Sequence, residues 1–316
     1  MAEGLLKEVR AAAERVARRA RFVRLDVAAI PHSAGSLLPD HPSPPALDPA
    51  THYLGEPDAT LAYVLTLDAI NFGSGYFPHL TKRPGYSGYF TVAASLKDHF
   101  EQHGPLSAAD LAALSSADCA RMFDQSLEGP AGELMGLFAT ALNDLGRLVV
   151  ARFEGSFRGL VDAAQGSAEQ LVGVLAQMPF YRDVHAYNGF HVPFYKRAQL
   201  TAADLATAGA ACFQDLDRLT IFADNLVPHV LRVDGLLEYD PHLIARIERE
   251  ELIPAGSPEE VEIRACALHA VELLAGQLRQ RGRSVTAMQL DYLLWNRGQQ
   301  PQYKAVPRHR TRSVFY

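Results

Sequence analysis

The sequence predicts a mainly α-helical fold with one short β-hairpin near residues 183–195. Apolar residues recur every three or four positions through most of the chain, the spacing of one helical face. Only Asp183 to Tyr195 carries a sheet signal, with Val184, Tyr187, Phe190, Val192 and Phe194 around Asn188-Gly189, a favoured pair for a two-residue hairpin turn. There is no βαβ alternation and no repeat at solenoid periods, which argues against a parallel-sheet hydrolase.

Taken in order, Leu5, Leu6, Val9, Ala12, Ala13 and Val16 predict a first helix over 5–23. Residues 31–58 then hold Pro31, Pro39, Pro42, Pro44, Pro45, Pro49 and Pro57. Prolines remove amide donors and block regular helix, so a structured connection or lid is expected there. Helices resume at 57–73, with Pro57 suited to a first turn, and at 88–103, while Ser107 and Ser116 suit the N-caps of two short helices. Further periodic stretches cover 130–152, 167–178, 200–209, 241–250, 258–281 and 286–297. The long helix from 258 opens Ser257-Pro258-Glu259-Glu260, an N-cap, an N1 proline and first-turn acids. The length of 316 residues suits either one two-lobed domain or two closely packed ones. The organisation expected is a single two-lobed helical domain over 1–316, in which 1–50 forms the first helix and the proline-rich connection and 51–316 the core with a cleft.

Composition narrows the function classes. The net charge of −6, with no long block of Lys and Arg, disfavours a protein that grips many phosphates of a polynucleotide. Cys119, Cys212 and Cys266 are far apart and form no CxxC pair, which argues against a disulfide framework or structural zinc and fits a reducing compartment. No apolar run approaches the roughly 20 residues that cross a bilayer, and no signal-peptide pattern is present, so a cytoplasmic protein with no membrane partner is expected. Residues 7–22 are Arg-rich, but Glu3, Glu8 and Glu14 oppose a transit peptide.

Motifs for nucleotide and acyl chemistry are absent: Gly73-Ser74-Gly75 has neither the third glycine nor the strand of a dinucleotide fingerprint, and no GxSxG elbow occurs. His99 and His103 stand at i, i+4 without an HExxH glutamate or third ligand, so no metal and no cofactor are expected. Three acids sit inside apolar runs, namely Asp68, Asp224 and Asp291. A buried acid needs a partner or a task, and each is either a helix cap, a structural ion pair or a functional group. Beside Asp224 stand the Phe222 ring, the Asn225 amide and Pro228, read as a helix break that would leave the carboxylate at a helix end facing a cleft. Pro193-Phe194-Tyr195-Lys196-Arg197 puts two cations and two aromatics together, suited to a phosphate and a ring or else to a solvated helix start. The basic run Arg308 to Arg312 ends in the apolar Val314, Phe315 and Tyr316, as in a tail that docks.

These segments, in this order, resemble the queuosine salvage proteins, the queuosine 5'-phosphate N-glycosylase family. The matching blocks are HYLGEPDATLAYVLTLDAINFGSGYFP at 52–78, FYKRAQL, LTIFADN, EEVEIRACALHAVELL, LLW and PRHRTRSVFY. The resemblance runs from about residue 50 to Tyr316 and implies hydrolysis of the N-glycosidic bond of queuosine 5'-monophosphate, releasing queuine, on a helical fold similar to helix-hairpin-helix DNA glycosylases. It makes Asp224, in the block's FAD sequence, the catalytic carboxylate that stabilises charge on C1′ or orients water. The family often continues FADYRVPQ where this chain has Asn225, Leu226, Val227, Pro228 and His229, so the roles of Asn225 and His229 as substrate contacts rest on less.

A base leaving as an anion needs protonation or hydrogen bonds, for which His52, Asp68, Asn71 and Asn225 are candidates, and a carboxylate from Asp68 or Asp291 could match its guanine-like edge. Phe72, Phe222 and Trp295 are its stacking candidates, although an aromatic in a helical stripe is also core material. Lys196 with Arg197 is the first choice for the 5'-phosphate, and Arg310 and Arg312 the second. Two other readings stand beside it: a DNA-repair base glycosylase, against which the charge speaks, and a non-enzymatic 7-deazapurine-binding protein.

Overall fold

The computed structural model describes residues 4–37 and 46–316. In chain order they form α1 (Leu5–Ala17), β1 (Val23–Leu25), α2 (Ile30–Leu37), α3 (Pro57–Ala69), α4 (Gly88–His103), α5 (Ala108–Ala113), α6 (Ser116–Phe123) and α7 (Gly129–Phe153). Then come α8 (Phe157–Asp162), α9 (Ala168–Leu175), β2 (Val184–Tyr187), β3 (Phe190–Pro193), α10 (Lys196–Thr207), α11 (Val227–Val233), β4 (Leu237–Tyr239), α12 (Pro241–Glu248), α13 (Pro258–Gln280), α14 (Ala287–Arg297) and α15 (Pro301–Lys304). The protein is mainly helical, as its sequence predicts. It divides into two compact units, each made of separated stretches of chain.

The first unit takes residues 4–37, Asp183–Lys196 and Asp215–Arg312. Its centre is α13, buried nearly all round at its start through Val261, Ile263, Ala265 and Cys266, and α1, α2, α11 and α14 pack on it. Pairing of β2 with β3 gives the expected hairpin, with Val184 opposite Pro193 and Tyr187 opposite Phe190. Asn188 and Gly189 turn it with φ of 44° and 83°, the positive values a two-residue primed turn requires. A second sheet is unexpected: β1 pairs antiparallel with β4, three residues each and far apart in sequence, too short to show an alternation. The first helix is also shorter than its periodicity predicts. The Glu262 carboxylate of α13 accepts from the amides of Arg21, Phe22 and Val23 at 2.8, 2.6 and 3.2 Å, and so draws the chain out of helix into β1.

Pro31 lies in the first turn of α2, where an amide has no helical acceptor to lose, so residues 30–37 are helix and not connection. Pro39, Pro42, Pro44 and Pro45 lie outside the described residues. Pro228 does not break a helix but stands in the opening turn of α11.

The second unit takes Ala46–Arg182, Arg197–Gln214 and Ser313–Tyr316. Its longest helix, α7, is long and apolar enough by length and composition to cross a membrane, contrary to the expectation of no such run. It carries a core stripe of Leu134, Met135, Phe138, Leu142, Leu145 and Val149 at helical spacing, with Glu133 and Arg147 exposed on the other side. On that stripe α5 packs so closely that a Cβ on Gly146 would come within 2.4 Å of the Ala108 carbonyl oxygen and the Ala112 nitrogen. Ser107 caps α5 as predicted, while the next cap is Ser115 and not Ser116, each in a reciprocal pair with the aspartate three residues on.

Candidate active site

Within the first unit the segment Leu219 to Leu226 is almost wholly buried, yet irregular, so its backbone groups need partners from elsewhere. The amide of Phe222 donates to Asp291 Oδ1 of α14 at 2.9 Å. The carbonyl of Ala223 accepts from Arg264 Nε of α13 at 2.8 Å. The Asn225 side-chain amide donates to the His309 carbonyl at 3.5 Å. Asp224 therefore sits on a loop fixed from three sides. Its Oδ1 accepts from the amides of Leu226 and Val227, at 2.7 and 3.1 Å, as the chain enters α11, and Arg308 supplies a positive charge nearby.

Of the three acids in apolar runs, Asp68 is 0% and Asp291 4% exposed, whereas Asp224 is half-buried and reaches the surface. Phe222 is buried and meets Tyr292 edge-on at 5.9 Å. Trp295 lies one helical turn beyond Asp291 on α14, partly buried against the unit's core. His229, on α11, donates from Nε2 to the Tyr303 carbonyl at 2.8 Å. The tail docks: the Arg310 carbonyl accepts from the Ile253 amide at 2.8 Å, and the Arg310 guanidinium pairs with Glu250 at 2.8 Å. Arg312 is half-buried at the end of this unit.

Lys196 and Arg197 are 6% and 1% exposed, so the pair does not form a solvated helix start. Lys196 opens α10, and its amide donates to Asp183 Oδ2 at 3.2 Å. Asp183 in turn is gripped by both terminal nitrogens of Arg264, Nη1 to Oδ1 at 3.0 Å and Nη2 to Oδ2 at 2.6 Å. Burial opposes ionisation of Asp183, but the Arg264 guanidinium and the His185 ring beside it hold its carboxyl below the usual carboxylate range. Sequence reading missed Asp183 and Arg264. The signal for them is an arginine inside the apolar run Ile263-Arg264-Ala265-Cys266-Ala267-Leu268, where a buried cation must have a partner.

In the second unit the candidates gather at the end of α3. Asp68 and Ala69 offer their carbonyls to Arg197, as does Phe180, and the guanidinium lies 4.7 Å from the Phe72 ring centre and 4.5 Å from that of Tyr181. The Asn71 amide donates to the Asp68 carbonyl at 3.3 Å. His52 is bound through Nδ1 to the Asp48 carbonyl at 3.1 Å and through Nε2 to the Tyr89 hydroxyl at 2.9 Å, and burial lowers its pKa against the pull of Asp48. With Nδ1 donating to the carbonyl, Nε2 accepts from Tyr89. Burial, with the charges of Asp204 and Asp68, pushes the Tyr89 phenol well up, so it stays a donor. Among the described residues no three His, Cys, Asp or Glu side chains cluster as a metal site needs.

Comparison with known proteins gives one answer at both levels of similarity. A protein of Sphaerobacter thermophilus named queuosine 5'-phosphate N-glycosylase/hydrolase is 40% identical, over 96% of this chain and 95% of its own. Proteins of the same name from Mus musculus and Schizosaccharomyces pombe are 32% and 28% identical, covering 83% and 82% of this chain and 83% of each relative. The sequence profile described as queuosine salvage protein matches residues 51–316, and the chain belongs to that family.

Proposed function

We propose that the protein hydrolyses the N-glycosidic bond of queuosine 5'-monophosphate, releasing queuine and ribose 5-phosphate, with Asp224 as the catalytic carboxylate. The observation that carries the residue assignment is the contrast among the three acids: Asp224 alone is half-buried, on a loop whose neighbours are all held. The name shared by the relatives supplies the substrate class. Cleavage builds positive charge on the ribose C1′, and a fixed carboxylate stabilises that charge or orients the attacking water without having to reorganise. Because Oδ1 is committed to two amides, Oδ2 is the oxygen that meets C1′ or the water.

On this reading Phe222 and Trp295 line the base, Asn225 and Asp291 serve its polar edge, and Lys196 takes the phosphate. The nearness to helix-hairpin-helix DNA glycosylases stays part of the proposal, as does a cytoplasmic, reducing location. Three free cysteines, of which Cys119 and Cys266 are buried, support the latter. The test is to incubate wild type and Asp224→Asn with queuosine 5'-monophosphate and follow free base by mass, with queuosine and GMP as comparisons. Wild type should release queuine and the variant should be slower by about a thousandfold. Equal turnover by the variant would remove Asp224 from the chemistry, and binding of queuine by an inactive wild type would make the protein a carrier.

A further inference from the structure

We propose that Arg264 and Asp183 are a positioning pair that locks the Asp224 loop to the helix start carrying Lys196, so that bond cleavage and phosphate capture depend on one buried contact. This pairing of tasks rests on the N-glycosidase reading, with Asp224 at C1′ and Lys196 at the phosphate.

The pair is 0% and 2% exposed. A buried ion pair is by itself weak grounds for a stabilising role, because desolvation offsets the attraction. What distinguishes this one is where its remaining bonds end. Arg264 uses its two terminal nitrogens on Asp183 and its third donor, Nε, on the Ala223 carbonyl, the residue before Asp224. Asp183 uses Oδ2 also on the amide of Lys196, and its own carbonyl accepts from the Phe194 amide at 2.9 Å. The guanidinium carbon lies 4.0 Å from the Phe194 ring centre, which sets the plane of the fork. Between the two, Tyr195 holds φ at 49°, a left-handed conformation that a bulky residue keeps only where its surroundings enforce it. His185 Nε2 at 3.0 Å from Asp183 and Glu260 at 3.4 Å from Arg264 complete the cluster. A lysine in place of Arg264 has no planar fork and cannot serve three acceptors in these directions.

The experiment compares Arg264→Lys and Asp183→Asn with wild type on queuosine 5'-monophosphate and on queuosine. In both variants kcat should fall roughly tenfold to a hundredfold on both substrates, since a displacement of about 1 Å at a reacting group has that effect. KM should rise for the monophosphate and stay for the nucleoside, because only the former uses Lys196. Folded variants with wild-type kcat and KM would overturn the inference. So would a fall in kcat with the monophosphate KM unchanged, the pattern of a smaller folded fraction. If neither variant folds, His185→Gln, which withdraws one ring contact from Asp183 and leaves the pair intact, must show the same split at a few-fold, and unchanged kinetics there would be fatal. A wild type that releases no base from either substrate fails the N-glycosidase reading; an active wild type with insensitive variants fails only the positioning pair.

Discussion

His229 shows how one buried side chain couples folding stability to pH. Burial, reinforced by the charges of Arg232 and Arg308, pushes its pKa down to about 4 from 6.5, although the Tyr303 carbonyl pulls the other way. His309, whose carbonyl holds Asn225, is pushed down to about 3 by burial and by Arg308, His229, Arg232 and Arg264. In the unfolded chain both rings bind a proton near their ordinary value, so between pH 6.5 and 4 the unfolded state carries more protons than the folded one. The stability these neutral rings contribute is complete above the unfolded value and is lost as pH falls toward 4, by roughly 3 kcal/mol for His229 alone. Asp183, held low by Arg264, does not titrate in this window. Urea unfolding across that range should show free energy rising with pH, and His229→Gln should flatten the slope by close to one proton. An identical slope in the variant would mean that His229 is not held neutral in the folded protein.

The element that Asp224 serves separates its hold on the turn from the catalytic role proposed for it. Its Oδ1 takes the Leu226 and Val227 amides at the start of α11, donors that no helical carbonyl can reach. Asparagine keeps an acceptor oxygen there and alanine does not. Asp224→Asn should therefore lose activity with its urea midpoint unchanged, while Asp224→Ala should lose activity and about 1 kcal/mol of stability. Equal stability of the two variants would show that the carboxylate does not hold the turn. Elements that carry caps of their own are legible in the sequence: Ser257 with Pro258 opens α13, Pro57 opens α3, and Asn188-Gly189 turns the hairpin. Those whose partners lie far away are not. The strand β1 has meaning only opposite β4, and α2 only against α13, so Pro31 reads locally as a breaker and Val23 as helix. The site divides the same way. Asp224 stands out as an acid among apolar neighbours, and the family resemblance raises it above Asp68 and Asp291. Arg264 and Asp183 are 81 positions apart, and no local pattern joins them.

At the scale of the whole molecule, the first unit cannot be made from one continuous stretch, because it draws on residues 4–37 as well as on 183–196 and 215–312. A fragment of residues 183–316 contains α13 but neither α1 nor β1. It would expose the α13 surface that Leu6, Val9, Ala12, Ala13 and Val16 cover, at roughly 1.5 kcal/mol or more for each of the larger side chains. It would also leave β4 without its strand partner and strip the Glu262 carboxylate of the three amides of Arg21, Phe22 and Val23, while the Tyr187 hydroxyl at 2.8 Å stays. A buried carboxylate that loses its donors is a heavier defect than lost apolar contact, since its desolvation then goes uncompensated. The fragment should accordingly show no cooperative urea transition by circular dichroism, and a synthetic peptide of residues 1–45 added to it should restore one. A cooperative transition in the fragment alone would show that the α13 core closes without its N-terminal cover.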